Sequence, residues 1–460
     1  MLGLQCQLTP KNPDDERAGY MQIDSAWRGQ GDVARKPSVI AVTSELPWPL
    51  DSGGHLRSYH LLRALASRFD VRLIAPHSSE RVGGAVTALR SAGLRPCAVA
   101  VAPRTFPSEL VKVVGAACRR EPYVMFGRHR HSAVRRAIQS AVNGQPPAVV
   151  YLDHLDSLSY ADILGTSPVV VDMHNVYSRL ASRAGSEADG PLRRRYLAAE
   201  ARLLERMEQR AAAMAHSILA VSSDEARYFR ALGAQRVVVV PNGVDCSAYE
   251  SIAAVPRQGA PTILFVGALG WPPNASAARF LATHVLSAVR ARVPDARLII
   301  VGKDPPPEVR ALARGDSVTV AANVPDVIPY YREAHILAVP LQAGGGTRLK
   351  ILEAFAAGVP VVSTAVGCEG LEVVDGRHLV VAERSDFAQA IADLLGAPAR
   401  AGLLAARARG LALARYDWPI VGALAAEAVQ SAADDRESEY RVNNSRKTER
   451  PVTLSSIGRL

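Results

Sequence analysis

Two doubly wound α/β domains, each a parallel sheet with helices on both faces, are what the sequence predicts. Three observations carry this. Apolar, β-branched runs alternate with stretches of helical spacing from residue 38 to about 245, and the alternation restarts at 262. Between them Pro256 and Gly259 mark a non-periodic linker. In each half a glycine loop follows a strand, at Ser52-Gly53-Gly54 and at Gly344-Gly345-Gly346. Ligands of such sheets sit at the carboxyl ends of strands, so the two domains are expected to face each other across one cleft.

The elements follow in order. Residues 1–36 are polar and without period, and are expected to be disordered. The first domain is placed at 37–245. Residues 39–43 read as a buried strand, 45–54 as a Pro- and Gly-rich loop, and Leu56, Tyr59, Leu62, Leu65 and Ala66 as one face of a helix. A strand at 71–75 completes this β-loop-α-β opening. Further strands are expected at 148–152, 169–173, 218–221 and 237–240, with a long amphipathic helix at 192–215. The second domain is placed at 246–415, with strands at 263–266, 298–301, 318–321, 336–339, 359–362 and 379–381. Its helices are expected at 275–291, 328–334, 348–357 and 386–395. A segment at 416–433, helical over 418–432, is assigned to return toward the first domain, and 434–460 to a disordered tail.

The chain has 460 residues, 48% hydrophobic and 21% charged, the composition of a globular protein with ample core. No apolar run approaches the roughly 20 residues that span a bilayer. The N-terminus lacks the basic start and apolar stretch of a signal peptide. Cysteines at 6, 97, 118, 246 and 368 have no metal-ligand spacing and read as thiols in a reducing compartment. A cytoplasmic location is the expectation. The net charge of +10 is uneven: residues 104–136 hold eight Lys or Arg against two acids. Beside Val111, Val113, Val114 and Phe126, these cations suit peripheral contact with an anionic membrane surface, at the inner face of the plasma membrane. Zinc spacing, a helix-turn-helix signature and aromatic–basic interleaving are all missing, which argues against nucleic acid as a partner. No G-x-G-x-x-G with an acid about 20 residues on follows the first strand, which disfavours a dinucleotide-dependent dehydrogenase.

The segment from Gly344 to Phe355 carries the most chemistry. Its glycines let the backbone approach a ligand closely. The helix that follows presents free N–H groups and a positive dipole end, a ready anion site. Arg348 and Lys350 place two cations in its first turn. Cations there oppose the dipole, and a bound anion accounts for their placement. Glu353, one turn on, can accept hydrogen bonds from a diol such as a ribose. Glycines, two cations and a carboxylate in this order suit a nucleotide diphosphate carrying a sugar. Backbone N–H groups of Gly53, Gly54, Gly346 and Thr347 add neutral donors for a leaving diphosphate. Arg57, one turn into the first helix, is a phosphate candidate with a solvated arginine as the alternative. His154 and His174 each lie at the carboxyl end of a neighbouring core strand, with Asp153 and Asp172 beside them as acids or orienters.

In this order Ser52-Gly53-Gly54, Ala220-Val221-Ser222, Val240-Pro241-Asn242-Gly243-Val244-Asp245, Phe265-Val266-Gly267, Ile300-Val301-Gly302 and the 344–364 segment resemble a family-4 retaining glycosyltransferase of the GT-B fold. The likeness covers about 38–430. It implies transfer of a sugar, with retention and without metal or cofactor, from a nucleotide-diphosphate sugar to a glycan or polyprenyl-linked acceptor. The second domain then holds the donor and the first the acceptor. His154 matches the acceptor-side histidine and Glu353 the ribose-binding glutamate. Two departures stand out. The family often has a second glutamate at the position of Gly345. Typical members also carry an Arg and a Lys just after the first strand of the second domain, where this chain has Gly267-Ala268-Leu269-Gly270-Trp271-Pro272-Pro273-Asn274. Arg348 and Lys350 look like their replacements, in a pattern similar to sugar transferases of bacterial exopolysaccharide systems. A non-catalytic nucleotide-sugar-binding regulator of the same fold is the alternative.

Overall fold

The computed structural model describes residues 36–448, apart from 79–81, 104, 187, 189, 254 and 344–347. Seven parallel strands build the first sheet: β1 (Ser38–Val42), β2 (Asp70–His77), β3 (Arg95–Ala100), β4 (Val149–Asp153), β5 (Val169–Met173), β6 (Ser217–Ala220) and β7 (Val237–Val239). Their spatial order is β3-β2-β1-β4-β5-β6-β7. The central strands β4 (Val-Val-Tyr-Leu-Asp) and β5 (Val-Val-Val-Asp-Met) are buried at every residue, because helices cover both faces of a parallel sheet. Six more parallel strands form the second sheet: β8 (Thr262–Val266), β9 (Arg297–Gly302), β10 (Val318–Ala322), β11 (Ile336–Val339), β12 (Val361–Ser363) and β13 (Val380–Val381), in the order β10-β9-β8-β11-β12-β13.

Strand order reverses between β1 and β4 in the first sheet and between β8 and β11 in the second. Loops leaving neighbouring strands there diverge and open a crevice. The ends of β1, β4 and β5 and of β8 and β11 therefore supply the candidate site. Both sheets lie in one compact unit.

β3 was not foreseen. Its Arg95-Pro96-Cys97 start breaks the apolar pattern, and Pro is tolerated because β3 is an edge strand. The disordered tail expected from 434 is corrected: the last helix runs Trp418–Thr448. Polar residues near its middle have partners on the helix or beside the first sheet. Asp434 accepts from Gln430, and Asp435 binds Arg236 and His216. Val421, Ala425 and Val429 of this helix share a core with Leu61 and Leu65 of the helix Gly53–Arg68. Residues 1–35 and 449–460, assigned to disorder from sequence, lie outside the described residues. Among the described residues, no helix is long and apolar enough to cross a membrane.

Candidate active site

The first wall is the mouth of the helix Gly53–Arg68. Ser52 caps it, accepting from the His55 N–H at 3.2 Å. The first-turn N–H groups have no intrahelical carbonyl to reach, and no acid sits in that turn. A Cβ on Gly53 would lie 3.1 Å from Leu349 Cδ1 of the second lobe, and one on Gly54 would lie 3.7 Å from His154 Nε2. Gly53 and Gly54 thus bring the helix mouth against both His154 and the start of the second-lobe helix Leu349–Ala356. Lys303 ties the lobes beside them, donating to the Asp51 carboxylate at 2.8 Å.

The second wall is that helix. Arg348 stands at its N-cap and is buried, donating to Val366 O at 3.3 Å. Burial lowers its pKa. Lys350 reaches back to Asn274 Oδ1 at 3.0 Å, with its ammonium 4.5 Å from the centre of the Phe265 ring. Burial, then the charge of Arg348, brings the Lys350 pKa down to about 7 against the opposing pull of Glu353. Gly267 makes this possible, since a Cβ there would lie 2.8 Å from Lys350 Nζ. Lys350 therefore delivers its charge beside the loop after β8, where the sequence has no cation of its own. Glu353 accepts from the Tyr331 hydroxyl at 2.8 Å, and burial raises its pKa. Gly345, Gly346 and Thr347 lie outside the described residues.

The floor is a buried charge network. Arg57, expected at the donor phosphates, is instead fully buried. Its guanidinium grips Asp172 and donates to Val240 O at 2.8 Å, Pro241 O at 3.0 Å and Asn242 Oδ1 at 3.1 Å. That fork pins the Pro241-Asn242 turn to β5 and leaves no arm for a ligand. Asp172 is likewise turned inward, accepting also from Tyr151 at 3.0 Å. Burial would raise its pKa, but Arg57 and His174 hold it well below the usual carboxylate range. Asp153 accepts from Ser58 at 2.7 Å and from His174 Nε2 at 3.0 Å. Burial would lower the His174 pKa, yet Asp153 and Asp172 raise it to about 9. His174 is an imidazolium locked between two carboxylates.

His154 differs. It sits at φ 72°, a left-handed conformation that costs a non-glycine residue on the order of 1 kcal/mol and aims the side chain off the end of β4. Its ring lies 3.6 Å from that of His174. Burial, then the His174 charge, lowers its pKa to about 4, so it is neutral at pH 7. Nδ1 faces the Tyr177 hydroxyl at 2.9 Å. Burial pushes the pKa of this phenol well above its ordinary value, against the opposing pull of a hydrogen bond from Asn175. With the phenol as donor to Nδ1, a neutral ring carries its hydrogen on Nε2, the atom nearest Gly54. The ligand atoms of Asp153, His154 and His174 lie within 4.8 Å of one another, a spacing that a metal ion can bridge. A cation there competes with the His174 proton and faces the Arg57 guanidinium one carboxylate away.

Of the residues expected from sequence, Gly53, Gly54, His154, Arg348, Lys350 and Glu353 border the cleft, whereas Arg57, Asp153, Asp172 and His174 support it from beneath. Asn175, Tyr177, Asn274 and Tyr331 were missed. Asn175 and Tyr177 lie one and three positions after His174, and Asn274 ends the stretch where two cations were sought, so proximity to known motifs was the available signal.

Two family models match the chain: "Glycosyltransferase Family 4" over residues 52–248 and "Glycosyl transferases group 1" over residues 260–397. A phosphatidyl-myo-inositol mannosyltransferase of Mycobacterium leprae is 32% identical over 213 residues, covering 43% of this chain and 55% of that protein. A GDP-mannose-dependent alpha-(1-6)-phosphatidylinositol monomannoside mannosyltransferase of Mycolicibacterium smegmatis is 30% identical over 171 residues, covering 34% of this chain and 45% of that protein. The chain spans about half the length of these curated relatives. The structure of Anabaena HepE in complex with UDP superposes with a TM-score of 0.61 at 16% identity, over 86% of this chain and all of that one. Sucrose-phosphate synthase from Thermosynechococcus elongatus gives 0.59 at 18% identity, over 89% of this chain and all of that one. At these identities the structural likeness speaks to fold alone.

Proposed function

The chain belongs to the family-4 glycosyltransferases of the GT-B fold, and from that membership we propose that it transfers a sugar from a nucleotide-diphosphate sugar to a glycan or polyprenyl-linked acceptor. One observation carries the reading. Two helix mouths, at Gly53 and at Leu349, converge across the cleft, with buried Arg348 and half-buried Lys350 at the second. Convergent N–H groups and cations in a desolvated cleft are what a departing diphosphate needs as negative charge builds on its oxygens. Arg348 chelates two oxygens and Lys350 supplies a point charge. Glu353 holds the ribose. His154 donates Nε2–H to the sugar or the acceptor hydroxyl at the reacting carbon. Transfer is retaining and independent of metal, and the product enters a cell-surface or exopolysaccharide glycan. A lipid-linked acceptor is supported by the phosphatidylinositol substrates in the names of the mycobacterial relatives.

Gly345, in place of a family glutamate, favours one rival: a regulator that binds nucleotide sugars without turning them over. Incubation with a panel of nucleotide sugars and lipid extract separates the two. Release of nucleoside diphosphate with a new glycoside supports the transferase. Saturable binding with no release from any donor supports the regulator.

A further inference from the structure

The helix Phe106–Arg119 breaks the usual rule for an amphipathic helix. Its apolar side faces outward. Phe106 is 84% exposed, Val111 73%, and Leu110 and Val114 are both above half. At 100° per residue, Phe106, Leu110, Val111, Val113, Val114 and Cys118 span one continuous face, and each is exposed. Opposite them only Ala116 is buried, packed against Gly127. The polar side is what attaches the helix. Lys112 donates to Arg128 O at 3.1 Å, and Tyr123 donates to Glu109. Phe126, grouped with the apolar surface from sequence, instead fills the core.

An outward apolar stripe of this extent marks an interaction surface. Charge identifies what it meets. Arg119 and Arg120 close the C-terminal end of the helix, and Arg130 flanks it. One carboxylate, Glu121, is shared by Arg119 and Arg130, so the rim stays cationic. A second copy docking on the same face through a two-fold axis would set these guanidiniums against their own images. An anionic bilayer satisfies both features: the stripe sinks into the acyl boundary while the cations meet lipid phosphates.

We propose that the helix Phe106–Arg119 is a docking element that lies flat in the interface of an anionic phospholipid membrane. Fourteen residues make a bar about 21 Å long. The surface is read by binding and not by turnover, so its test stands apart from that of sugar transfer.

The experiment uses the full chain and sucrose-loaded vesicles, either phosphatidylcholine alone or phosphatidylcholine with phosphatidylglycerol. The protein is expected to sediment with the anionic vesicles at low salt, to be released as salt rises, and to stay in solution with phosphatidylcholine alone. Val111→Glu combined with Val114→Glu should lower the partition coefficient by about tenfold or more. Arg120→Glu should lower it by about fivefold. Both changes are at exposed positions, so melting temperature and circular dichroism should match the parent. Three results would overturn the proposal: no sedimentation with anionic vesicles at low salt, equal sedimentation of parent and double variant, or a double variant whose only change is loss of a dimer in equilibrium ultracentrifugation.

Discussion

The Tyr177 hydroxyl meets His154 Nδ1 at 2.9 Å, across from the Nε2 that faces Gly54. With the phenol donating to Nδ1, Nε2 carries the ring hydrogen toward Gly54. Burial, then the His174 cation whose tilted ring lies 3.6 Å away, keeps the His154 ring neutral. His154 is built as a hydrogen-bond donor and poorly as a proton acceptor, because its pKa of about 4 leaves it little basicity.

Tyr177→Phe should therefore lower kcat by about tenfold, the worth of one orienting hydrogen bond, while donor KM moves less. Nitrogen NMR of labelled imidazoles should find the Nε2–H tautomer in the parent and a mixture in the variant. A parent that is protonated at pH 7 would refute this reading of His154. His154→Ala should reduce turnover more than it reduces donor affinity.

His174 links stability to pH. Its folded pKa of about 9 lies above the ordinary value of 6.5, so its contribution is complete below about 6.5 and is lost as pH rises through 9. Urea midpoints should fall between pH 6.5 and 9 in the parent. His174→Asn should be less stable at pH 6.5 and should lose most of that slope. An unchanged slope would place the titration elsewhere.

Arg57 is expected to act on folding and not on donor contact. Arg57→Met leaves Asp172 buried without its partner, and breaking such a pair typically costs about 3–5 kcal/mol. Urea unfolding measures this. A variant of normal stability with weakened nucleotide binding would restore Arg57 to the phosphate site.

Lys350 should make nucleotide binding pH-dependent. Its pKa of about 7 in the free protein must rise when a diphosphate sits beside it. Affinity should be full below pH 7 and should fall as pH rises above it. Calorimetry in two buffers of different ionisation heat should detect proton uptake near pH 7.5. Lys350→Met should remove both the uptake and the slope. Glu353→Gln should weaken nucleoside diphosphate binding and move the slope to lower pH, since the Glu353 charge holds the Lys350 pKa up.

Fold and cleft were legible because parallel sheets leave a plain trace. Runs such as Val169-Val170-Val171 have no polar face, and in each domain a glycine loop follows a strand, at 52–54 and 344–346. Roles within the cleft were less legible. Arg57 and Arg348 look alike in sequence, each one turn or less from a glycine loop. Only the third dimension shows Asp172 and the 240–242 carbonyls surrounding Arg57. Lys350 and Asn274 are 76 positions apart, so no local pattern could pair them. The last helix escaped the reading past 434 because its partners, such as Arg236, are distant in sequence.

The most direct test of the central claim is steady-state sugar transfer by Arg348→Ala and Lys350→Ala. Each variant removes one donor from the leaving diphosphate and should lose on the order of 100- to 1,000-fold in kcat. Arg348→Lys should recover little of it, since the fork is gone. If both alanine variants kept kcat near that of the parent, the helix mouth at Leu349 would be a structural turn and the proposed leaving-group site would be contradicted.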